Sequence, residues 1–443
     1  MRCDWPARRE GVDSPRGRRC ASRSLVAFAA CAAVGLAAFT PLQRVDAGAA
    51  SQEALLSRVS GQRAYQHVLA LAGKIGPHVA GTPEDRTSGQ YIAAELARDG
   101  YAVSWQPFTF PYFAVRTVSL AVTSGPALSL HPRVLQYSGA TPAGGLAAEI
   151  YVAGLGRPED FAGGAASGKV AVIERGGATF KAKAEAAAAA GAVAAVIYNT
   201  QPGEFSGTLG GAAKIPVVGL SGAEGQQLVT AAKADRIAVQ LNVQAANEQR
   251  TTWNIIGTKP GTREPHRIVI VGAHRDTVPG APGANDNTSG VAVALDLAEV
   301  LKNVPLGSTV RFVFFGAEEE GLYGSAYYVD HHGPDPIAAY VNLDMEGVGQ
   351  RLMISTFRGS DSLVQTGARL ASELRIPAIV GHDGGSDHIN FERIGVPVAF
   401  VFRPDDPYYD TPKDTVDRVD PSLLQVSGRL ALAILLDAAG VSQ

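Results

Sequence analysis

Three apolar runs in the second half of the chain, each passing directly into acidic or histidine side chains, constrain the fold most strongly. They read "RIVIVGAH", "TVRFVFFGAEE" and "AAYVNLDMEG", and each has the composition of a buried strand. Helical stretches such as "SGVAVALDLAEVLKNV" alternate with them. This alternation predicts an α/β fold, with a central mixed, largely parallel sheet flanked by helices on both faces.

The polar side chains at the ends of these runs are all able to bind a metal ion. The first run ends at His274, the second at Glu318 and Glu319, and the third at Asp344, while Asp286 lies in the turn-rich stretch "GANDNTSG". The carboxyl ends of parallel strands form the ligand crevice of an open α/β sheet, so we expect these groups to converge there. One histidine with several carboxylates is a donor set that suits Zn²⁺.

Each of these residues also has a structural interpretation when it is considered alone. A strand-end aspartate commonly forms a turn or caps a helix, and a single histidine is commonly a hydrogen-bonded core residue. Taken together at one end of one sheet, however, several carboxylates would repel one another strongly without a cation. The combination therefore favours a metal site.

The same stretches resemble the two-zinc aminopeptidase family, which is related to glutamate carboxypeptidase and to the zinc glutaminyl cyclases. The matching segments are "GAHRDTV", "GANDNTSG", "FFGAEEEGLYGS", "NLDMEG", "GGSDHINF" and "TPKDTVDRVDP", together with "VAGTPEDRTSGQYIAAEL" nearer the N-terminus. Residues 166–230 look like a protease-associated domain. The resemblance implies a zinc peptidase domain formed by residues 51–105 and 250–443, interrupted by a β-rich α+β protease-associated domain over residues 106–249.

The resemblance also implies a role for each site residue and two zinc ions per chain. His274 and Asp344 would hold one zinc, Glu319 would help to hold the other, and Asp286 would bridge the two. Glu318 would be the general base that takes a proton from water and gives it to the departing amine. On the same grounds, Asp276 would be the carboxylate that orients the His274 imidazole. The resemblance leaves the position of Glu320 variable, and we expect Glu320 to be a solvent-facing or supporting residue.

One position departs from the family pattern. The family usually has a histidine as the last zinc ligand, in a Tyr-His-Thr motif, whereas this chain reads "YYDTPKDT" with Asp410 at that place. We predict that Asp410 is the ligand, since carboxylate oxygens bind zinc at similar distances, and that the second metal is more weakly bound, exchangeable or not zinc. Tyr409 keeps the tyrosine of the motif and would donate to the oxyanion of the tetrahedral intermediate. His388 is not expected to be a ligand.

The first fifty residues predict export. An Arg-rich start, the apolar run Leu25–Phe39 and small residues near "VDAGAA" are typical of a secretory signal peptide over residues 1–50. The alternative is a retained anchor, although fifteen apolar residues are short for spanning a bilayer. We therefore expect a periplasmic or extracellular protein without stable membrane insertion. All three cysteines lie in this segment, so the remainder cannot form disulfides.

These features together predict a secreted zinc aminopeptidase acting on the N-termini of peptides or proteins. The net charge of −3, with no basic cluster beyond the leader, argues against a nucleic-acid partner. Three alternatives share the fold, namely a one-zinc glutaminyl cyclase, a carboxypeptidase and a binding module without activity. A carboxypeptidase would need a cationic pocket for the substrate carboxylate, for which Arg275, Arg358 and Arg403 are candidates.

Overall fold

The structure is a computed structural model that describes residues 47–201, 203, 205, 207–358, 362–382 and 385–441. The predicted signal peptide lies outside this part of the chain, apart from its last four residues. The helices are α1 Ala47–Leu56, α2 Gly61–Val68, α3 Pro83–Arg98, α4 Phe180–Ala189, α5 Gly222–Ala234, α6 Thr288–Leu301, α7 Tyr323–His332, α8 Ser362–Glu373, α9 His388–Arg393 and α10 Pro421–Ala439.

The strands form one sheet that extends through both the predicted peptidase domain and the predicted insertion. They are β1 Ala102–Ser124, β2 Arg133–Val134, β3 Leu146–Val152, β4 Val170–Glu174, β5 Ala194–Tyr198, β6 Val217–Leu220, β7 Ala238–Lys259, β8 Glu264–His274, β9 Ser308–Phe315, β10 Ile337–Asp344, β11 Leu352–Ser355, β12 Ala378–Gly381 and β13 Val398–Phe402. Their order is β12-β11-β13-β10-β8-β9-β7-β3-β4-β5-β6-β2, with β1 paired to β7.

The half of the sheet around β8 is mixed and largely parallel, as predicted. β8 pairs in parallel with β9 on one side and with β10 on the other, and β10 continues in parallel to β13. Antiparallel pairs occur where β7 joins β9 and where β11 joins β13. Because β8, β9, β10 and β13 run in the same direction, their carboxyl ends lie along one edge.

Helices cover both faces of this half of the sheet, so its central strands are buried on both sides. Along β8, Val269 and Val271 belong to the core that includes α3, α6, α8 and α10, whereas Ile268 and Ile270 face α7 and α9. The two sets alternate with the period of two expected of a strand. Among the described residues, α10 alone is long and apolar enough to span a membrane, and 61% of its most apolar window is buried.

A long two-stranded ribbon joins this half of the sheet to the inserted domain. β1 and β7 pair antiparallel from Ala102↔Thr258 to Ser124↔Ala238, with irregularities between Val115 and Thr117 and between Val122 and Ser124. The far end of β7 also pairs with β3, which continues in parallel through β4, β5 and β6. With α4 and α5, these strands form the predicted β-rich α+β insertion. The predicted boundaries at residues 106 and 249 both fall inside the ribbon.

Candidate metal centre

The fold brings the predicted donor residues to the carboxyl edge of the main sheet. His274 is the last residue of β8, Asp344 is the last residue of β10, and Glu318 and Glu319 follow the end of β9. Asp286 lies in the loop that leads from β8 into α6. These strands are neighbours, so residues 70 positions apart in the sequence meet at one place.

His274 lies at the centre of the first group of donors. Its Nε2 atom is 3.2 Å from Asp286 Oδ1 and 3.4 Å from Asp344 Oδ1, and the imidazole is 1% exposed. One donor atom from each of these three residues lies within 4.8 Å of the others. A single cation could therefore contact all three without a rearrangement of the backbone.

A second group of donors shares Asp286 with the first. Asp286, Glu319 and Asp410 also place one carboxylate oxygen each within 4.8 Å of one another. A third overlapping group consists of His274, Glu318 and Glu319. The arrangement is one continuous cluster with two centres, and Asp286 lies between them.

The cluster has the chemistry of a zinc site. Its donors are one imidazole and several carboxylates, which Zn²⁺ accepts, and the Oε1 atom of Glu319 is buried without a hydrogen-bond partner. Burial, together with neighbouring carboxylates, raises the pKa of Glu318 and of Glu319 well above the usual range. Burial lowers the pKa of His274, but the negative charges of Asp344 and Glu318 outweigh it and the net shift is strongly upward. Without a cation, these acids would have to retain protons.

Asp276 connects the end of β8 to the turn that carries the glutamates. Its carboxylate accepts the backbone N–H of Glu318 at 3.1 Å and that of Glu319 at 3.3 Å. The same carboxylate is 3.9 Å from Nδ1 of His274, whose nearer contact is the Asp276 carbonyl oxygen at 3.2 Å. Asp276 therefore fixes the glutamate turn directly, which the sequence did not predict, and also lies beside the imidazole.

The loop that carries Asp286 is held by a residue that sequence reasoning did not single out. The Asp414 carboxylate accepts the backbone N–H groups of Asn285 at 2.8 Å and of Asp286 at 3.0 Å. Asp414 belongs to the stretch "TPKDTVDRVDP", so its sequence context was visible, but its partners are 128 and 129 positions away. On the Asp344 side, the Ser386 hydroxyl donates to Asp344 Oδ2 at 2.8 Å.

Asp387 is a second residue that the sequence did not indicate. It is fully buried, and the Ser325 hydroxyl is a polar neighbour of its carboxyl group. Burial raises its pKa to about 7, although the positive charge of His274 opposes this shift. The adjacent His388 belongs to none of the donor groups found among the described residues, and its ring stacks on Phe400 with centroids 4.5 Å apart.

Asp410, Tyr409 and Glu320 lie at the outer part of the centre. Asp410 is exposed as a whole, but its carboxyl group lies against the cluster. Partial burial of that group, together with the charge of Asp286, raises its pKa to about 6. The Tyr409 side chain is 48% exposed, and burial and the Asp410 charge raise its pKa. Glu320 belongs to no donor group among the described residues. Burial and the charge of Asp276 raise its pKa to about 7.

Comparisons with known proteins identify the families that this chain resembles. Residues 254–435 match peptidase family M28, and residues 135–228 match the PA domain. Aminopeptidase YwaD of Bacillus subtilis (strain 168) is 36% identical over 401 residues, which cover 85% of this chain and 84% of that protein.

Solved structures with the same fold include two bacterial aminopeptidases. The aminopeptidase from Aneurinibacillus sp. strain AM-1 has a TM-score of 0.77 at 32% identity, covering 88% of this chain and 97% of its own. BSAP, a zinc aminopeptidase from Bacillus subtilis, has a TM-score of 0.72 at 34% identity, covering 86% of this chain and 95% of its own.

Proposed function

This chain belongs to peptidase family M28, and from that premise we propose that it is a zinc-dependent aminopeptidase that removes N-terminal residues from peptides. The observation that carries the proposal is the pair of donor groups sharing Asp286. One zinc would be held by His274, Asp286 and Asp344, and the other by Asp286, Glu319 and Asp410. When bound, the two ions would supply Lewis acidity toward the scissile carbonyl and toward water.

Glu318 would be the general base. It is the acid of the cluster that is not needed in either of the two groups assigned to zinc, and it lies beside both of them. It would take the proton of the attacking water and deliver it to the departing amine. The two hydrogen bonds that Asp276 accepts hold the backbone of Glu318 and Glu319, so both side chains keep their positions during that transfer.

The remaining groups would serve the substrate. Tyr409 is next to Asp410 at the accessible side of the centre, where its hydroxyl could donate to the oxyanion of the tetrahedral intermediate. The surrounding carboxylates give this region a negative charge that favours the protonated amine of a free N-terminus. Both features suit an exopeptidase that acts at amino ends.

The carboxypeptidase alternative has less support, because two of its three candidate cations are already engaged. Arg275 is fully buried and pairs with Asp85 at 2.6 Å, and Arg403 is 2% exposed and donates to the carbonyl oxygens of Gly349 and Gln350. Arg358 is exposed and is the remaining candidate. The one-zinc cyclase alternative is disfavoured by the second donor group.

Three finer parts of the proposal follow from the sequence and the site together. The protein would be exported, since the N-terminal segment has the pattern of a signal peptide. The zinc peptidase domain would be discontinuous, with the protease-associated domain inserted through the β1–β7 ribbon. The second zinc would be the weaker one, because exposed Asp410 stands where the family has a histidine.

The proposal is tested by assaying purified residues 51–443 on free and N-acetylated aminoacyl p-nitroanilides, before and after chelator treatment and zinc addition. We expect hydrolysis of the free-amine substrates alone, loss of activity with chelator, and recovery with zinc. Total zinc should approach two per chain, with one ion removed at a lower chelator concentration. Absence of hydrolysis by the zinc-loaded protein, or equal cleavage of the acetylated substrates, would refute the proposal.

A further inference from the structure

Arg275 lies between two residues of the metal centre, yet its side chain points away from that centre. It separates His274 from Asp276, and its own side chain is fully buried. Among the described residues, it is the largest side chain with less than 2% exposure. A buried guanidinium is costly unless it is fully paired, so its surroundings indicate what it does.

The partner of Arg275 is Asp85, near the start of α3 and 190 positions earlier in the chain. The Nη1 atom of Arg275 donates to Asp85 Oδ1 at 2.6 Å and to the Asp85 carbonyl oxygen at 2.7 Å. The other carboxylate oxygen of Asp85 accepts the N–H of Gly81 at 2.9 Å. Both Arg275 and Asp85 are 1% exposed or less, so water does not screen this ion pair.

Three further residues complete the cage around the guanidinium. Ser88 Oγ accepts from Nη1 at 3.1 Å, and the Trp253 carbonyl oxygen accepts from Nη2 at 2.9 Å. Thr252 Oγ1 accepts from Nη2 at 3.1 Å and donates to Asp85 Oδ2 at 2.8 Å, which closes the network. The ion pair is therefore held by α3 and β7 together.

The same cage contacts the strand that leads to the glutamates. The backbone N–H of Arg275 donates to the Phe315 carbonyl oxygen at 2.9 Å, at the end of β9. A Cβ atom at Gly316 would lie 2.7 Å from Thr252 Oγ1, so this glycine backbone packs directly against the cage. Gly316 is two residues before Glu318, and the cage therefore lies behind both of the strand ends that carry donor residues.

We propose that the Asp85–Arg275 ion pair is a positioning device for the metal centre. In an extended chain, neighbouring side chains point to opposite sides, so clamping Arg275 on one side fixes the directions of His274 and Asp276 on the other. Asp276 in turn holds the amides of Glu318 and Glu319. The inference rests on the proposed function for its catalytic consequence, but its effect on metal retention is independent of the substrate.

The test compares Asp85→Asn with Asp296→Asn. Asp296 forms a second ion pair, also of 2.6 Å, with Arg63. Asp296 is buried while Arg63 is partly exposed, and like the Asp85 pair this one joins an N-terminal segment to the core. Neither Asp296 nor Arg63 belongs to a donor group among the described residues. Both variants would be purified zinc-loaded, and three quantities measured: the melting temperature, the chelator concentration that removes half of the zinc, and kcat and KM at saturating zinc.

In Asp85→Asn, the chelator concentration that removes half of the zinc should be about ten-fold lower than in wild type. This factor lies within the range of about 10–100-fold found for residues that support metal ligands. kcat should fall by about the same factor. KM should stay within about two-fold, because no substrate contact is lost. Asp296→Asn should lower the melting temperature and leave zinc retention and kcat within about two-fold of wild type. Equal zinc retention and kcat in the two variants would show that the Asp85 pair is only structural and would overturn the inference.

Two milder variants keep the test decisive if Asp85→Asn does not fold. Thr252→Val removes a bond to the charged group of each member of the ion pair. Ser88→Ala removes one bond to the Arg275 guanidinium and one to the Asp85 backbone carbonyl, and leaves the Asp85 carboxylate untouched. Zinc retention should be lower in Thr252→Val than in Ser88→Ala, and unchanged retention in both would overturn the inference. If the wild type cleaves no aminoacyl substrate, the proposed function fails, while the zinc measurements still decide the role of the pair.

Discussion

The three consecutive glutamates after β9 have three different surroundings. Glu318 belongs to a donor group with His274, Glu319 belongs to two donor groups, and Glu320 belongs to none among the described residues. The sequence alone presents them as equivalent acids. Their difference arises because the chain turns at this point, with Ala317 at φ 54° and Gly321 at φ 129°, so successive side chains point in different directions.

Glu318→Gln should abolish most of the activity and keep the metal. An amide cannot take a proton from water, and general base catalysis contributes about 10²–10⁴-fold, so we expect kcat to fall by at least about 100-fold with KM little changed. The zinc content should remain that of the wild type. Steady-state kinetics and metal analysis of the same preparation check both statements.

Glu320→Gln is the matched control for this prediction. It removes the same charge two residues later, outside the donor groups, and kcat should stay within about three-fold of wild type. A large loss in Glu320→Gln, or retained activity in Glu318→Gln, would mean that the roles of these neighbours have been assigned incorrectly.

Most of the donor residues could be predicted from the sequence, because His274, Glu319 and Asp344 stand at the ends of strands that are evident from their apolar composition and Asp286 lies in the turn-rich loop after the first of them. His274, Asp286, Glu319 and Asp344 all meet in the structure as expected from parallel strands that end at one edge. Asp414 could not be predicted in its role, since a carboxylate that accepts two loop amides has no local signature. The partners of Arg275 could not be predicted either, because they lie in α3 and β7, far from Arg275 in the sequence.

At the level of elements, the central strands were predictable and the long ribbon was not. β8, β9 and β10 are buried on both faces and read as continuous apolar runs. β1 and β7 are 23 and 22 residues long, but their exposure varies along their length, so their sequences resemble several short strands. Their continuity comes from pairing with each other, which a single sequence does not display.

The short helix α2 carries a buried histidine whose protonation should destabilise the fold. Burial lowers the pKa of His67 to about 4, and the positive charges of Arg98 and Arg63 add to this. The unfolded chain, with a histidine pKa of about 6.5, binds a proton as the pH falls below that value, whereas the folded protein does not. Stability is therefore lost between pH 6.5 and about 4.

The expected size of this effect follows from the two pKa values. Between pH 7.5 and pH 5, the free energy of unfolding of wild type relative to His67→Gln should fall by about 2 kcal/mol. Urea unfolding of both proteins at the two pH values measures the difference, and other titrating groups cancel because both proteins share them. Parallel pH profiles for wild type and variant would contradict the burial of a neutral imidazole at this position.

At the scale of the whole molecule, the two domains have separate cores joined by the ribbon. The near part of β1, including Phe108, Phe110 and Ala114, packs with Ala317 of the main domain. The far part belongs to the core of the inserted domain, with Leu120 as a member. The change from one core to the other occurs close to the irregularity after Val115.

A protein that lacks the inserted domain should therefore fold. Replacing residues 116–244 by an Asn-Gly turn would close the near part of the ribbon as a hairpin, since Val115 pairs with Ala245. We expect cooperative unfolding and a zinc content equal to that of the full chain. Calorimetry and metal analysis check this, and loss of zinc or non-cooperative melting would show that the main domain depends on the insertion.

The insertion also decides the order in which the chain can acquire its structure. Helix α2 packs against α6 and α10, and the last of these begins about 350 residues later. Strands β3–β6 of the inserted domain lie within residues 146–220 and need no distant partner to pair. If the chain is synthesised N-terminus first at roughly 5–20 residues per second, α2 lacks its partner α10 for a time on the order of tens of seconds. The strands of the insertion can pair with one another during that time. The first helices to appear are thus among the last to be buried, and during that interval their apolar faces are open to a chaperone.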